Sequence, residues 1–227
     1  MDSINYEYER PALTVDVVIY TIQGNDLKVL LIQRNTDPFK DMWAIPGGFV
    51  LKGETLDNAA ARELAEETGV KDIYLEQLYS FGDPGRDPRG WVVTVAYYAL
   101  ISSDNLKIEA DTDAKDVKWF SAYDLPPLAF DHDKILKLSL ERLRAKLEYA
   151  NVGFQLLPKK FTLTALQKTY EVILNKTMDK RNFRKKILSH SIVKETDEYK
   201  RDGNHRPARL FTYIETPPVK KEKSKLI

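Results

Sequence analysis

Apolar positions dominate residues 12–22 and 27–33, and the break between them is Gln23-Gly24-Asn25-Asp26. Two β-rich runs joined by a Gly-Asn turn predict a β-hairpin. A short extended run, residues 43–45, stops at Pro46-Gly47-Gly48, which reads as a turn. From residue 56 to 68 the period becomes helical, with Leu56, Ala60, Leu64 and Ala65 on one face, Thr55 set to cap the start and Gly69 the end. Further strands are predicted over 73–81, 91–101 and 117–120, and a helix over 131–150 that carries Leu136, Leu140, Leu143 and Leu147 on one stripe.

Beyond Asn151-Val152-Gly153 the pattern changes. Two short helices are predicted over 163–174, capped by Thr162 or Thr164, and over 179–188, where Phe183 and Ile187 mark the buried stripe. Two β-like runs, 192–196 and 208–213, then bracket a charged loop at 199–206. Helix, helix and ribbon outline a winged helix-turn-helix. The divisions expected are 1–150, 151–216 and a basic tail at 217–227 too poor in apolar residues to fold.

Composition narrows the function. With 43% hydrophobic and 30% charged residues the chain is expected to be globular. No run of about 18 apolar residues suggests a membrane span, and the acidic, weakly apolar start does not resemble a secretion signal, so a cytoplasmic protein is expected. The absence of cysteine excludes disulfides, a thiolate nucleophile and a cysteine zinc site. A net charge of +1 hides a division: residues 1–150 sum to −9 and residues 151–227 to +10. That asymmetry suggests a carboxylate-bearing site in the first part and a polyanionic partner for the second.

The chemistry concentrates between Gly48 and Gly69. Glu63, Glu66 and Glu67 stand at i, i+3 and i+4, so a helix sends three like charges the same way. A hard cation between them would make that tolerable, and oxygen-only ligands suit Mg²⁺, or Mn²⁺. Arg62, four residues before Glu66, can steady it, and the glycines let loop carbonyls approach. Downstream, Arg86 and Arg89 on the Pro-rich loop 82–90 could clamp a pyrophosphate, with Arg34 nearby; the other reading is a structural loop of salt-bridged arginines. Asp131-His132-Asp133 reads as the cap of a helix rather than an acid-base group. In the second part, Arg181 and Lys185 project opposite the Phe183–Ile187 stripe, flanked by Asn182 and Arg184, with Lys180 before them. Arginine and asparagine read base edges and lysine neutralises phosphate. The loop ending in Arg206, with Arg209 behind it, reads as a basic wing; a dimerisation or lid domain with a solvated basic face is the alternative.

The stretch Gly48, five residues, Glu54, seven residues, Arg62-Glu63-Leu64-Ala65-Glu66-Glu67-Thr68-Gly69-Val70 matches the signature of the Nudix hydrolases at every defined position. The resemblance implies that Glu63 and Glu67 are the main metal ligands, that Glu66 assists with metal or water, that Glu54 supports them, and that Gly48 lies in the loop donating a carbonyl. It also implies metal-assisted attack of water on a phosphorus of a nucleoside diphosphate linked to another group. Residues 81–98 resemble the ADP-ribose pyrophosphatase branch.

Up to about Thr216 the whole chain resembles the Nudix-related transcriptional regulators, on Phe161-Thr162-Leu163, residues 179–184 and Arg206-Pro207-Ala208-Arg209-Leu210. That resemblance implies an α+β fold, a Nudix α/β/α sandwich followed by a C-terminal winged helix-turn-helix. It further implies a homodimer, an ADP-ribose or related sugar effector, a double-stranded DNA operator and control of NAD metabolism. The expected function is a regulator that binds ADP-ribose and hydrolyses it to AMP and ribose 5-phosphate. The alternatives are a pyrophosphatase with an accessory domain and a catalytically silent sugar-responsive regulator.

Overall fold

The computed structural model describes residues 8–69, 73–105, 116–201 and 206–214. The expected tail at 217–227, Val70 and the tip of the wing loop lie outside the described residues.

The hairpin forms as expected from β1 (Ala12–Gln23) and β2 (Asp26–Gln33), with Gly24 and Asn25 both at positive φ in the turn. A mixed sheet grows from it, in the order β3 (Trp43–Ala44), β2, β1, β6 (Val92–Leu100), β5 (Tyr74–Phe81). Two further strands pair off this path, β4 (Gly47–Phe49) on β1 and β7 (Asp116–Ser121) on β2. The sequence reading of residues 46–48 as a turn is corrected here, because pairing to β1 at Thr14, Val15 and Asp16 draws the two glycines into the sheet.

Alternation along β1 and β6 splits the core. Val15, Val17, Ile19, Val95, Tyr97 and Ala99 face α1 (Leu56–Thr68) and its Ala59, Ala60 and Leu64. Val18, Tyr20, Ala96, Tyr98 and Leu100 face the other way, toward α2 (His132–Leu147) and its Ile135, Leu136, Leu143 and Leu147. The result is a helix-sheet-helix sandwich. Thr55 caps α1 by accepting from the Asn58 N–H, and Gly69 ends it in the left-handed region.

The second unit contains α3 (Leu163–Leu174), α4 (Lys180–Ser189) and a three-stranded sheet ordered β8 (Lys160–Phe161), β10 (Ala208–Tyr213), β9 (Val193–Lys200). Thr162, not Thr164, caps α3, and Asp179 caps α4. The wing strand β9 runs to Lys200, four residues past its expected end, since its polar outer positions still pair with β10. β8 carries only two residues and has no period to read.

One apolar cluster runs from the α2 face of the sheet through Phe154 and Leu156 to Leu166, Tyr170 and Ile173 of α3. Polar contacts reinforce the joint: Arg144 donates to the Ile173 carbonyl at 2.9 Å, and the Tyr123 hydroxyl donates to the carbonyls of Val172 and Ile173.

Candidate active site and nucleic-acid interface

α1 brings the acidic residues of the box to one end of the sheet but treats them unequally. Glu63 and Glu67, one turn apart, are 8% and 7% exposed, whereas Glu66 is exposed. Burial, with the charges of Glu63 and Glu66 adding to it, pushes the Glu67 carboxyl up to about 7, and its Oε2 is buried without a hydrogen-bond partner. Glu63 is also raised, mainly by burial. Arg62 spans the remaining carboxylates: it reaches Glu63 at 2.6 Å, Glu54 at 3.0 Å and Glu66 at 3.4 Å. The expected partner, Glu66, is thus the most distant of the three. Hydrogen bonds from Arg62 lower the pKa of Glu54. Among the described residues, no three acidic, histidine or cysteine side chains are gathered closely enough to hold a cation without rearrangement.

β4 links this cluster to a cleft. A Cβ built on Gly48 would lie 2.3 Å from Glu63 Oε1, so only a glycine lets the strand pass beside that carboxylate. Gly48 also lines a cavity of about 160 Å³ whose other walls include Arg34, Phe49, Arg86, Arg89 and Phe130. The three arginines expected at a pyrophosphate therefore meet in one place, in different states. The Arg86 side chain is almost wholly buried and holds Asp131 through two hydrogen bonds, at 2.7 and 3.1 Å. Asp131 occupies the N-cap position of α2 but makes no capping bond, which corrects the capping role expected of it. Arg89 is paired to buried Asp87, yet its guanidinium lies over the rings of both Phe49 and Phe130, at 5.4 and 5.3 Å. Arg34 lies 4.8 Å from the Phe130 ring and donates to backbone carbonyls at Pro38 and Thr36.

Asp16, to which the sequence assigns no role, and His132, expected only within a helix cap, are buried at the cleft floor. Asp16 had a signal, a charge interrupting an otherwise apolar strand. His132 accepts from the Ile45 N–H through Nδ1 at 2.9 Å, and burial lowers its pKa.

In the second unit, Lys180, Arg181, Asn182, Lys185, Arg206 and Arg209 are all exposed. Arg184 is only partly so; its Nη2 donates to Thr164 Oγ1 at 3.3 Å, while its Nε is buried and unpartnered. Arg209 is held across the wing by Glu195 and by the Tyr199 hydroxyl, the latter at 2.7 Å. Lys180, Arg184, Lys200, Arg206 and Arg209 line a single groove of about 1060 Å³ between α3, α4 and the wing. No helix among the described residues is long and apolar enough to cross a membrane.

Residues 10–139 match the family described as NUDIX domain, and residues 153–213 match the NrtR DNA-binding winged helix domain. The chain is 41% identical, over 91% of its length and 84% of the relative's, to the ADPR responsive transcriptional repressor NtrR of Acinetobacter baylyi. Over 57% of this chain and 73% of the relative it is 43% identical to the ADP-ribose pyrophosphatase of Methanocaldococcus jannaschii. The crystal structure of Shewanella oneidensis NrtR complexed with a 27mer DNA superposes with a TM-score of 0.81 at 39% identity, covering 89% of this chain and 93% of that one. The NUDIX domain of the same Shewanella protein, solved with ADP ribose, matches 61% of this chain and 94% of that one at 42% identity and a TM-score of 0.55.

Proposed function

The chain belongs to the Nudix family, as a Nudix domain followed by an NrtR-type DNA-binding winged helix, and from that premise we propose that it is an ADP-ribose-responsive transcriptional regulator that also hydrolyses its effector. The sensing and hydrolysing unit spans residues 1–150 and the DNA-binding unit residues 151–216. The protein works as a homodimer in the cytoplasm on a double-stranded operator.

The observation that carries the hydrolytic part is the buried, unpartnered Oε2 of Glu67, one helical turn from Glu63, which packs on Gly48 in the wall of the arginine-lined cleft. An orphaned buried carboxylate oxygen costs free energy unless a ligand completes it. The donors are all oxygen, which fits Mg²⁺, or Mn²⁺. Glu63, Glu67, Glu66 and the Gly48 carbonyl would hold it, with Arg62 giving up its bond to Glu63 and keeping Glu54. When bound, the ion neutralises charge on the phosphoryl oxygens and lowers the pKa of coordinated water.

The chain's own side chains supply the rest. Arg89 and Arg34 offer positive charge to the pyrophosphate from the cleft wall. Arg86 is a positioning residue here, because its guanidinium is committed to Asp131. Arg62 keeps the acidic cluster from expanding under its own repulsion, and Glu54 anchors Arg62 at 3.0 Å.

For DNA, the exposed Arg181, Asn182 and Lys185 on α4 present base-reading and phosphate-neutralising groups, and Lys180, Arg206 and Arg209 border them. The overall charge of +10 on residues 151–227 supports this reading.

The experiment is a hydrolysis assay with ADP-ribose and Mg²⁺, run on the wild-type chain and on Glu67→Gln. Release of AMP and ribose 5-phosphate by the wild type, reduced on the order of 100-fold in the variant, is expected. No Mg²⁺-dependent product from the wild type would leave a sensor without turnover.

A further inference from the structure

Every second residue of β1 from Thr14 to Tyr20 points to the α2 side of the sheet, where Val18 and Tyr20 join the core and Thr14 is buried. Asp16 is the charged one. It is 8% exposed, and it lies against the residue that opens α2, His132, which is 4% exposed. The Asp16 Oδ1 to His132 Nε2 separation is 3.8 Å, and Asp16 Oδ2 stands 3.8 Å from Arg86 Nη2. Both gaps exceed a hydrogen bond, for which about 2.7–3.2 Å is usual. Arg86 cannot close its gap cheaply, because two of its N–H groups already hold Asp131.

The tautomer of His132 follows from its other nitrogen. Nδ1 accepts the Ile45 N–H, so the proton of the neutral ring sits on Nε2, facing Asp16. The cleft floor thus presents an acceptor-only carboxylate and a donor N–H, side by side and not bonded to each other. A phosphate oxygen only accepts and would be repelled by Asp16. An exocyclic amine only donates and would leave the His132 N–H unmet. A hydroxyl does both at once, donating to Asp16 and accepting from His132.

Size agrees with this. At about 160 Å³ the cleft falls below the roughly 300–1,000 Å³ typical of sites that take a whole ligand, so it admits one ring of a nucleotide. The inner aromatic faces of Phe49 and Phe130 are already covered by Arg89, which disfavours a base slotted between them. Resting on the ADP-ribose reading above, we propose that Asp16 and His132 together receive one sugar hydroxyl of the nucleotide and so select for a ribosyl-bearing ligand.

The test is calorimetric binding to the full chain in EDTA, which prevents turnover, with ADP-ribose, ADP and inosine diphosphate ribose, for the wild type, Asp16→Asn and Asp16→Ala. Losing a hydrogen bond to a charged group predicts that Asp16→Ala weakens ADP-ribose and inosine diphosphate ribose alike, by roughly 10-fold or more, with Asp16→Asn between it and the wild type. The ADP arm identifies the sugar: an equal loss points to the adenosine ribose, and no loss to the terminal one. Unchanged ADP-ribose binding in Asp16→Ala overturns the proposal. So does wild-type binding already weakened by the inosine base and then insensitive to Asp16, which would make the adenine amine the donor. If Asp16→Ala does not fold, wild-type binding to analogues lacking one sugar hydroxyl at a time decides: one of them must lose about 10-fold, and equal affinities refute the idea. A wild-type chain that binds no ADP-ribose, yet folds and binds DNA, would instead remove the effector reading on which this rests.

Discussion

Arg144 on α2 donates its Nε hydrogen to the carbonyl of Ile173, 2.9 Å away, in the last turn of α3. A cation at a helix C-terminus meets both the unpaired carbonyls and the negative end of the helix dipole. α2 therefore touches the candidate effector cleft at its first residue, His132, and the winged helix near its last turn, through Arg144.

This arrangement predicts that Arg144→Ala uncouples the two units. Affinity for ADP-ribose should stay within about twofold, while the effect of ADP-ribose on DNA affinity shrinks at least about fivefold, from a typical coupling of roughly 1–3 kcal/mol. Isothermal titration of the ligand, set beside DNA anisotropy with and without it, measures both quantities.

Adjacent glycines on β4 give opposite outcomes. At Gly48 a new Cβ meets the mobile end of Glu63, at 2.3 Å, so Gly48→Ala should fold normally and lose most hydrolytic activity as the carboxylate is pushed aside. At Gly47 the clash is with the Val15 carbonyl, also at 2.3 Å, and backbone cannot yield so easily. Gly47→Ala should lower the melting temperature or abolish folding. Thermal unfolding and an ADP-ribose hydrolysis assay on both variants separate the two effects.

That contrast also shows what the sequence could and could not reveal. Thr55 and Gly69 were legible as helix ends because capping is local chemistry, and the carboxylates of the box were legible because their spacing is helical. Gly47 and Gly48 were misread as a turn, since their strand pairing is with residues 14–16, more than 30 positions away. For the same reason the sequence leaves Arg86 open between a clamp and a salt-bridged loop: its partner, Asp131, is 45 residues downstream. The placement of Arg184 toward Thr164, 20 residues earlier, belongs to the same class. A charge inside an apolar strand was the one visible sign of Asp16, and it could be interpreted only once α2 was seen to set His132 beside it.

A depressed histidine pKa fixes the sign of one pH effect. Burial holds His132 below its ordinary value near 6.5, so above that value the ring is neutral in both folded and unfolded chains. Below it the unfolded chain takes up a proton that the folded one resists, and stability falls as pH drops toward the depressed value. Denaturation midpoints between pH 7.5 and 5.5 should decline more steeply for the wild type than for His132→Asn. Parallel declines would mean that His132 does not titrate differently in the two states.

On α4, the exposed and the inward arginine should behave differently. Arg181→Ala is expected to cost about 1–3 kcal/mol of DNA binding and relax sequence preference, with no change in melting temperature. Lys185→Ala should weaken all sequences and reduce the salt slope by about one. Arg184→Ala should lower thermal stability together with DNA affinity, because its guanidinium also joins α4 to α3 through Thr164. Salt-dependent anisotropy and thermal unfolding of the three variants distinguish these outcomes.

Coupling between the effector cleft and the winged helix is measured by titrating ADP-ribose into a preformed complex of Glu67→Gln protein with DNA selected by the wild type from a random-sequence pool. The variant keeps the cleft but consumes the ligand on the order of 100-fold more slowly, and salt is held fixed because phosphate contacts depend on it. Release of the DNA, with affinity falling by roughly 5- to 150-fold as the Nudix site saturates, is the predicted result. A flat anisotropy curve at ADP-ribose concentrations shown by calorimetry to fill that site would contradict it, leaving a Nudix hydrolase with an uncoupled DNA-binding domain.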